Sequence, residues 1–313
     1  MERHAVTVIG AGTMGHGLAV QFARMEQDVT LVDHRPANLD EARAHIHDAI
    51  TFLNEQRLAD LKPDEVLDRI TFTTDQADGV STADIVLETV SEDLAIKHDV
   101  FKTAAEAAPE EAVLATNTSG LRISDIAAGV PDDADRIVGC HWWNPPYLMP
   151  LVEVVQGDTT APSTVDRTMS FVRSVDRDPI RVNVDVPGFV WNRIQFAVLR
   201  EAMHIVEAGI ASLEDVDRAV RDGYALRTAT VGPFETVDLS GLDLFRSIAD
   251  ELYPHLCNDT EPAPLFDEYL DAGRNGVAAG DGFYEYKETL AKAVKGRDQR
   301  IAAIRRALAE IDK

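Results

Sequence analysis

The sequence is short of lysine and of long apolar stretches, and each shortage excludes a class of partner. Of 313 residues only 7 are lysine, and 54 acidic residues stand against 30 basic ones, for a formal charge of −24. Proteins that bind nucleic acids carry basic patches, so a nucleic-acid partner is disfavoured. No stretch approaches the roughly 18 apolar residues that cross a membrane. We therefore expect neither nucleic acid nor membrane as a partner.

Cysteine is also scarce, and the histidines lack metal-binding spacing. Cys140 and Cys257 belong to no spacing motif, which is typical of reduced thiols in a cytoplasmic protein. The first apolar run follows Met1 too closely to leave room for a secretory signal. The nine histidines show neither HxxxH nor HExxH spacing, so no metal site is predicted.

The acidic residues are spread along the whole chain and are not gathered in a tail. One explanation is simple solubility. The other is adaptation to a salt-rich cytoplasm, in which a dense carboxylate surface keeps a protein hydrated. The even distribution favours the second explanation, and we predict a halophilic protein.

Short apolar runs alternate with helical segments through the first 186 residues. The predicted strands are Val6–Ile9, Val29–Val32, Ile85–Leu87, Val113–Ala115, Ile137–Gly139 and Leu151–Val155, with a further stretch at Ile180–Val184. Helices are predicted over Ala37–Leu58 and from Pro63. This alternation predicts an α/β fold, a doubly wound parallel sheet with helices on both faces.

After Pro187-Gly188 the pattern becomes almost entirely helical, and the last amphipathic helix begins near Glu288. We therefore predict two domains: residues 1–186, which hold the sheet, and residues 187–313, which are all helical. Residues 192–208 are apolar on more than one face, which predicts burial against another helix or another subunit. A homodimer through this helical domain is expected.

A glycine-rich turn joins the first strand to the first helix. It has the spacing GxGxxG, in which the second glycine lets the backbone approach a pyrophosphate and the third lets the helix pack closely on the strand. An acid, Asp33, ends the second strand, where it accepts hydrogen bonds from ribose hydroxyls and repels a 2′-phosphate, which favours NAD. Arg35 leaves NADP open, and a turn without ligand is the alternative. The predicted cofactor-binding residues here are Gly10, Gly12, Thr13, Met14, Gly15 and Asp33.

Four polar residues lie where predicted strands or helices begin or end: Ser119, His141, Glu153 and Asn192. Glu153 lies in the apolar run LVEVV, and a buried carboxylate there needs a partner. His141 precedes it by 12 residues, so a loop that returns the chain beside the preceding strand makes the two neighbours. A carboxylate bonded to one imidazole nitrogen leaves the other as a base. The alternative is a packed core histidine and a solvent-facing glutamate on an edge strand.

Eight motifs in one order resemble the 3-hydroxyacyl-CoA dehydrogenases over nearly the whole chain. They are GAGTMG, ETVSEDLAIKHDVF, ATNTSG, HWWNPP, LVEVV, PGFVWNR, GPFETVDLSGLD and GDGFYEYK. The resemblance implies a Rossmann domain, a helical C-terminal domain that forms a dimer, and NAD-dependent oxidation of a 3-hydroxy group.

The resemblance also implies residue roles. The family's catalytic pair falls on His141 and Glu153, with His141 taking the hydroxyl proton as a hydride leaves carbon 3. Its contacts to the reacting oxygen fall on Ser119 and Asn192. Its contacts on the nicotinamide side fall on Glu92, Lys97 and Asn117.

Two departures leave the substrate open. The family's usual HFFNP is HWWNPPY here, and the segment 223–231 is longer than in the CoA enzymes and carries Arg227. These features resemble the gulonate and carnitine dehydrogenase branch, which includes λ-crystallin and acts on free acids. Arg227 is then either a carboxylate anchor or a surface arginine paired with an acid. The expected substrate is a 3-hydroxyacyl-CoA or a free 3-hydroxy acid. A crystallin-like structural protein and a nucleotide sensor are disfavoured, because all four catalytic positions are intact.

Overall fold

A twisted sheet organises the first part of the chain in this computed structural model, which describes residues 3–311. The strands are β1 (Ala5–Ile9), β2 (Asp28–Val32), β3 (Ile70–Thr73), β4 (Ile85–Glu88), β5 (Val113–Thr116), β6 (Ile137–Trp142), β7 (Leu151–Val155) and β8 (Asp178–Val182). Their order across the sheet is β3-β2-β1-β4-β5-β6-β7-β8. The first six strands are parallel, in the order of a doubly wound dinucleotide-binding fold, so the predicted fold class is confirmed.

The last two strands reverse the direction of the sheet. β7 runs antiparallel to β6, and β8 runs parallel to β7. The chain makes this reversal through the eight residues between Trp142 and Leu151. This reversal places Glu153 beside His141, as the prediction that the two residues are neighbours required.

Helices cover both faces of the sheet. They are α1 (Thr13–Arg24), α2 (Pro36–Glu55), α3 (Pro63–Leu67), α4 (Gln76–Val80), α5 (Leu94–Ala107), α6 (Ile123–Ala127) and α7 (Pro162–Ser174). One apolar core joins the strands to α1, α2, α3 and α7, and a second joins them to α4, α5 and α6. Burial on both faces explains why the strand sequences are continuous apolar runs.

Local sequence signals start several of these helices. Proline occupies the first turn of α2, α3 and α7, where its missing N–H costs nothing. Asp93 caps α5, its carboxylate accepting from the Ile96 amide at 3.0 Å. α2 ends at Glu55, three residues before the predicted end. β3 is a strand that the sequence pattern did not reveal.

The remaining elements are helical. They are α8 (Trp191–Glu207), α9 (Leu213–Arg218), α10 (Leu226–Thr228), α11 (Pro233–Ser240), α12 (Leu242–Leu252), α13 (Pro264–Asp271) and α14 (Leu290–Ile311). A π-helical segment, Ala219–Ala225, connects α9 to α10.

The chain forms two compact units. The sheet unit comprises the chain up to Val190 together with the segment from Gly296 onward, and the helical unit is Trp191–Lys295. α14 therefore begins in the helical unit, and most of its length belongs to the sheet unit, where Ala302 joins the core beside α1 and α2. Within residues 3–311 no helix has the length and apolar character needed to cross a membrane.

Candidate functional site

A buried histidine–glutamate pair lies where β6 and β7 run side by side. His141 and Glu153 are direct partners in the antiparallel register. The Nδ1 atom of His141 is 2.7 Å from Oε2 of Glu153, and the exposed fractions of the two residues are 7% and 0%. With Nδ1–H donating to the carboxylate, the Nε2 atom of His141 is the basic nitrogen of the neutral ring.

The turn that follows β8 completes this pair. The backbone amide of Val190 donates to Oε1 of Glu153 at 2.9 Å, so both carboxylate oxygens accept a hydrogen bond. The turn passes through Gly188 and Phe189, whose φ angles are +79° and +49°. The Phe189 ring is buried, and its centre is 5.7 Å from that of the His141 ring. The pair is therefore held by β6, by β7 and by the turn before Trp191.

Asn117 joins the end of β5 to the end of β6. Its Oδ1 atom accepts from the Trp142 amide at 2.8 Å, and its own amide donates to the Glu88 carbonyl at 2.9 Å. These bonds fix the segment that carries Ser119 relative to the residue that follows His141.

Glu92 organises the loop after β5. Its Oε1 atom accepts from the Thr118 hydroxyl at 2.5 Å and from the amides of Ser119 and Gly120 at 3.0 and 2.9 Å. Partial burial acts to raise the pKa of Glu92, but these bonds and Lys97 outweigh it, and the pKa lies below its ordinary value. An ionised Glu92 thus fixes the backbone at Ser119. The sequence motif did not indicate this role for Glu92.

Lys97 lies beneath this loop in a buried ion pair. Its Nζ atom is 2.7 and 2.9 Å from the two carboxylate oxygens of Glu88 and 3.4 Å from Oε2 of Glu92. Glu88 also accepts from the Thr116 hydroxyl at 2.7 Å and the Val90 amide at 2.6 Å. Burial raises the pKa of Glu88 by more than these partners lower it.

Sequence reasoning missed Glu88. The available signal was its position, because it is an ionisable residue that directly follows the apolar run Ile85–Leu87 and precedes Lys97 by nine residues. An acid at the end of a fully buried strand requires a partner.

The glycine-rich turn has the geometry that a dinucleotide requires. Gly10 has a φ of +103°, and a Cβ atom on Gly15 would lie 1.7 Å from the Gly10 carbonyl oxygen. A Cβ on Gly12, by contrast, would meet nothing within 4 Å. α1 begins at Thr13, and no side chain caps its N-terminus. The backbone amides of this first turn, including that of Met14, can therefore bind a phosphate.

The Asp33 carboxylate, directly after β2, accepts three hydrogen bonds. It accepts from the Ala11 amide, the Arg35 amide and the Asn38 side-chain amide at 2.9, 2.9 and 3.0 Å. Burial acts to raise the pKa of Asp33, but these bonds outweigh it and the pKa is lowered. An ionised acid beside an open, uncapped turn fits the ribose and pyrophosphate of NAD.

Asn192 and Arg227 lie in the helical unit. Asn192 is the second residue of α8. Arg227 lies in α10, directly after the π-helical segment, and its side chain is exposed. Among the residues that the structure describes, the Arg227 guanidinium forms no ion pair.

Within residues 3–311, no group of three or more His, Cys, Asp or Glu side chains could hold a metal ion. Instead, the strand order, the open glycine turn and the acid after β2 define an NAD-binding Rossmann protein. The histidine–glutamate pair is a base suited to removing a proton from a hydroxyl.

The chain belongs to the 3-hydroxyacyl-CoA dehydrogenase family and is an NAD-dependent dehydrogenase that acts on a hydroxyl group. The family's NAD-binding domain matches residues 5–186, and its C-terminal domain matches residues 188–286.

One relative resembles this chain over nearly its entire length. The 5-formyl-3-hydroxy-2-methylpyridine 4-carboxylate 5-dehydrogenase of Mesorhizobium japonicum is 37% identical over 97% of both chains. A crystal structure of an enzyme of that name, described as an NAD⁺-dependent dismutase, has a TM-score of 0.90, with 36% identity over 98% of this chain and 99% of its own. The (S)-3-hydroxybutyryl-CoA dehydrogenase of Ralstonia eutropha has a TM-score of 0.74, with 30% identity over 91% and 99% of the two chains.

Proposed function

We propose that this dehydrogenase acts on a free carboxylic acid that carries the reacting hydroxyl, and not on a CoA thioester. The observation that carries the proposal is the difference in structural similarity. The TM-score is 0.90 with an enzyme named for a pyridine carboxylate and 0.74 with one named for a CoA ester. A free 3-hydroxy acid and an aromatic hydroxy or formyl acid share the features that matter here, a carboxylate and a nearby oxygen at the reacting carbon.

In this proposal His141 is the general base. Its Nε2 atom takes the hydroxyl proton, and Glu153, bonded to Nδ1, stabilises the resulting imidazolium. Because Glu153 is fully buried and both its oxygens are occupied, it holds the ring in one tautomer. The same base serves an aldehyde substrate once water has added to it, because the hydrate also presents a hydroxyl to His141.

A bound NAD would supply the acceptor for the hydride that leaves the substrate carbon. The chain holds it through the turn Gly10–Gly15, including Thr13 and Met14, and through Asp33. Asn117 and Glu92 are the proposed nicotinamide-side residues. Lys97, which the resemblance also assigned to that side, is 1% exposed and paired with Glu88 and Glu92, so in this proposal it acts through them as a positioning residue. Ser119 and Asn192 bind the reacting oxygen and stabilise the charge that develops on it.

Arg227 supplies the substrate's carboxylate anchor. The structure supports this role because the guanidinium is exposed and is not already neutralised by an acid of the described chain. Arginine binds a carboxylate through two parallel hydrogen bonds and so fixes the orientation of a small acid. A small acid needs this contact because it has no CoA moiety to supply remote binding energy.

The competing candidate is a 3-hydroxyacyl-CoA dehydrogenase of fatty acid metabolism. It is favoured by the family match over both domains and by the similarity to the 3-hydroxybutyryl-CoA enzyme. The two candidates differ in whether substrate binding needs Arg227.

NAD reduction with five compounds separates the candidates: 3-hydroxybutyryl-CoA, free 3-hydroxybutyrate, gulonate, carnitine and 5-formyl-3-hydroxy-2-methylpyridine 4-carboxylate. We expect a free acid to have the highest kcat/KM. Arg227→Ala should lower kcat/KM for that acid by a factor equivalent to about 2 kcal/mol and leave the CoA ester nearly unaffected. Arg221→Ala, which removes a nearby exposed arginine of the π-helical segment, is the control. Efficient turnover of 3-hydroxybutyryl-CoA without turnover of any acid would contradict the proposal.

Three further properties belong to the proposal. We infer a homodimer, because the helical unit exposes many apolar side chains, and a cytoplasmic location, because both cysteines are free thiols. We also infer adaptation to salt from the charge of −24. Screening of carboxylate repulsion should then raise the melting temperature with KCl, and a flat response up to molar KCl would contradict the salt adaptation.

A further inference from the structure

A cluster of arginines lines a second cavity, in the sheet unit and outside the residues assigned above. The cavity has a volume of about 480 Å³ and is called here the arginine pocket. The charged residues of its wall are Arg24, Arg57, Asp176, Arg305, Arg306 and Glu310. They come from the end of α1, the turn after α2, the turn before β8 and α14. The match to the family's C-terminal domain ends at residue 286, before α14 begins.

Several arginines elsewhere in this acidic chain pair directly with carboxylates. Arg136 lies 2.8 Å from Asp133, and Arg274 lies 3.0 Å from Asp281. Such pairs are the expected arrangement in a protein with 54 acidic residues.

Three of the four arginines that line the pocket have uncharged hydrogen-bond partners instead. Arg24 donates to the side-chain carbonyl of Gln21 at 2.8 Å, and Arg305 donates to the Leu148 carbonyl at 2.8 Å. Arg306 donates to the backbone carbonyl of Gln56. These bonds hold the guanidinium groups in place without neutralising them.

A further arginine, Arg177, does not line the pocket but is buried behind it, where it shares the acceptor Gln21 with Arg24. It is 3% exposed and donates to the Pro146 carbonyl and to Gln21, while its nearest carboxylate, Asp176, is 3.7 Å away and mostly exposed. Burial lowers the pKa of Arg177 to about 9, and the positive charges of Arg24 and Arg305 add to the effect. Burial also lowers the pKa of Arg24 to about 10. Both groups still carry their charge at neutral pH.

The acids around the cluster do not balance it. Asp176 and Glu310 line the pocket, and Asp178 acts on Arg177 and Arg305 from the start of β8. Among the residues that the structure describes, four arginines line the pocket against two carboxylates, Asp176 and Glu310, a local excess of two positive charges in a chain whose net charge is strongly negative.

We propose that the arginine pocket binds a small multivalent oxyanion of the phosphate type, either inorganic phosphate or a compact phosphate ester. The planar donors of arginine match phosphate oxygens in pairs, and the Arg305 guanidinium is already held in place by the Leu148 carbonyl, in the loop between β6 and β7. A bound dianion cancels the local excess of charge. This inference does not depend on the proposed substrate.

Calorimetric titration of the 313-residue chain with inorganic phosphate tests the site. The titration is run at constant ionic strength in chloride, with NAD saturating so that the turn at Gly12 is already occupied. We expect one phosphate per chain. Arg57→Gln should weaken binding by at least about tenfold, the usual loss for one charge-assisted hydrogen bond. Arg57 suits the test because it is exposed and no hydrogen bond or ion pair of its side chain is seen among residues 3–311.

Arg300→Gln is the matched control, because it removes the same charge from an exposed position of α14 that does not line the pocket. It should bind phosphate as the wild type does. In phosphate-free buffer Arg57→Gln should melt at or above the wild-type temperature, since it relieves repulsion among the arginines. Absence of saturable binding, equal losses in the two variants, a lower melting temperature of Arg57→Gln, or equally tight binding of the dicarboxylate malonate would each overturn the proposal.

Discussion

The two units of the molecule differ in how far their charged and apolar side chains are buried. The sheet unit buries several charged groups beside a partner, as in the pairs of Glu88 with Lys97 and Glu153 with His141. In the helical unit, residues 191–295, Met203 is the one large apolar side chain that is buried, whereas Phe234 is 86% exposed. We propose that a second copy of the chain covers this apolar surface. The helical unit is therefore where a second copy is expected.

The largest effect is expected when the buried pair of His141 and Glu153 is changed. His141→Asn should lower kcat by about 10² to 10⁴, the usual range for the loss of a general base. Glu153→Gln should cost less, because the ring keeps an acceptor at Nδ1 but loses the charge that stabilises the imidazolium. Steady-state kinetics at neutral pH measure both effects.

His47→Asn is the control for this prediction, because His47 is exposed on α2. It should leave kcat unchanged. Near-normal turnover of His141→Asn would show that the pair is structural, and the sheet unit would then hold a packed histidine where we propose a base.

The second test concerns the cost of leaving a buried charge without its partner. Lys97→Met leaves Glu88 unpaired at a fully buried position and should lower the free energy of unfolding by about 3–5 kcal/mol. Adding Glu88→Gln to that variant should recover part of the loss. Urea denaturation measures both changes.

Lys62→Met breaks an exposed pair with Glu65 and is the matched control. It should leave the denaturation curve unchanged, since exposed pairs contribute little. An equally mild effect of Lys97→Met would mean that the sheet unit does not depend on its buried ion pair.

Much of the sheet unit could be predicted from the sequence, for identifiable reasons. The glycines of the first turn have strict steric requirements, and a Cβ on Gly15 would collide with the Gly10 carbonyl. The contact between His141 and Glu153 followed from a short loop and an acid within an apolar strand, and the antiparallel register confirms it. Each of these signals is local and strong.

Other features depend on contacts that a linear pattern does not contain. β3, Ile70–Thr73, has two apolar residues in four and shows no run that marks a strand. The amphipathic pattern of α14 predicts a helix, but it does not say that the part from Gly296 packs with the sheet unit. The convergence of Arg24, Arg57 and Arg305 is likewise a property of the folded chain only.

The choice between NAD and NADP tests whether the hydrogen-bonded Asp33 carboxylate selects NAD. The wild type should prefer NAD over NADP in kcat/KM, because an ionised Asp33 repels a 2′-phosphate. Asp33→Ala should reduce that preference by a factor equivalent to about 1.5–3 kcal/mol, the range for a hydrogen bond to a charged group. Asp33→Asn keeps the size and an acceptor for the Ala11 amide, so it separates loss of charge from loosening of the turn. Equal kcat/KM for both cofactors in the wild type would contradict the prediction.

The smallest expected effect concerns the apolar surface of the helical unit. Ile210 is 68% exposed and lines an apolar groove of about 630 Å³ with Ile205, Val216 and Val220. If a second copy covers this groove, Ile210→Ala should weaken dimerisation by about 1 kcal/mol for each copy, because the lost methylene groups are buried in the dimer.

Ile304→Ala removes the same groups from the sheet unit, where Ile304 is 56% exposed, and it should leave the association constant unchanged. Sedimentation equilibrium over a range of protein concentrations, in molar KCl to screen the acidic surface, measures both variants against the wild type. Equal behaviour of the two variants would mean that the groove at Ile210 is not an interface. A wild type that stays monomeric would contradict the proposed dimer. The exposed apolar side chains of the helical unit would then need a partner other than a second copy of the chain.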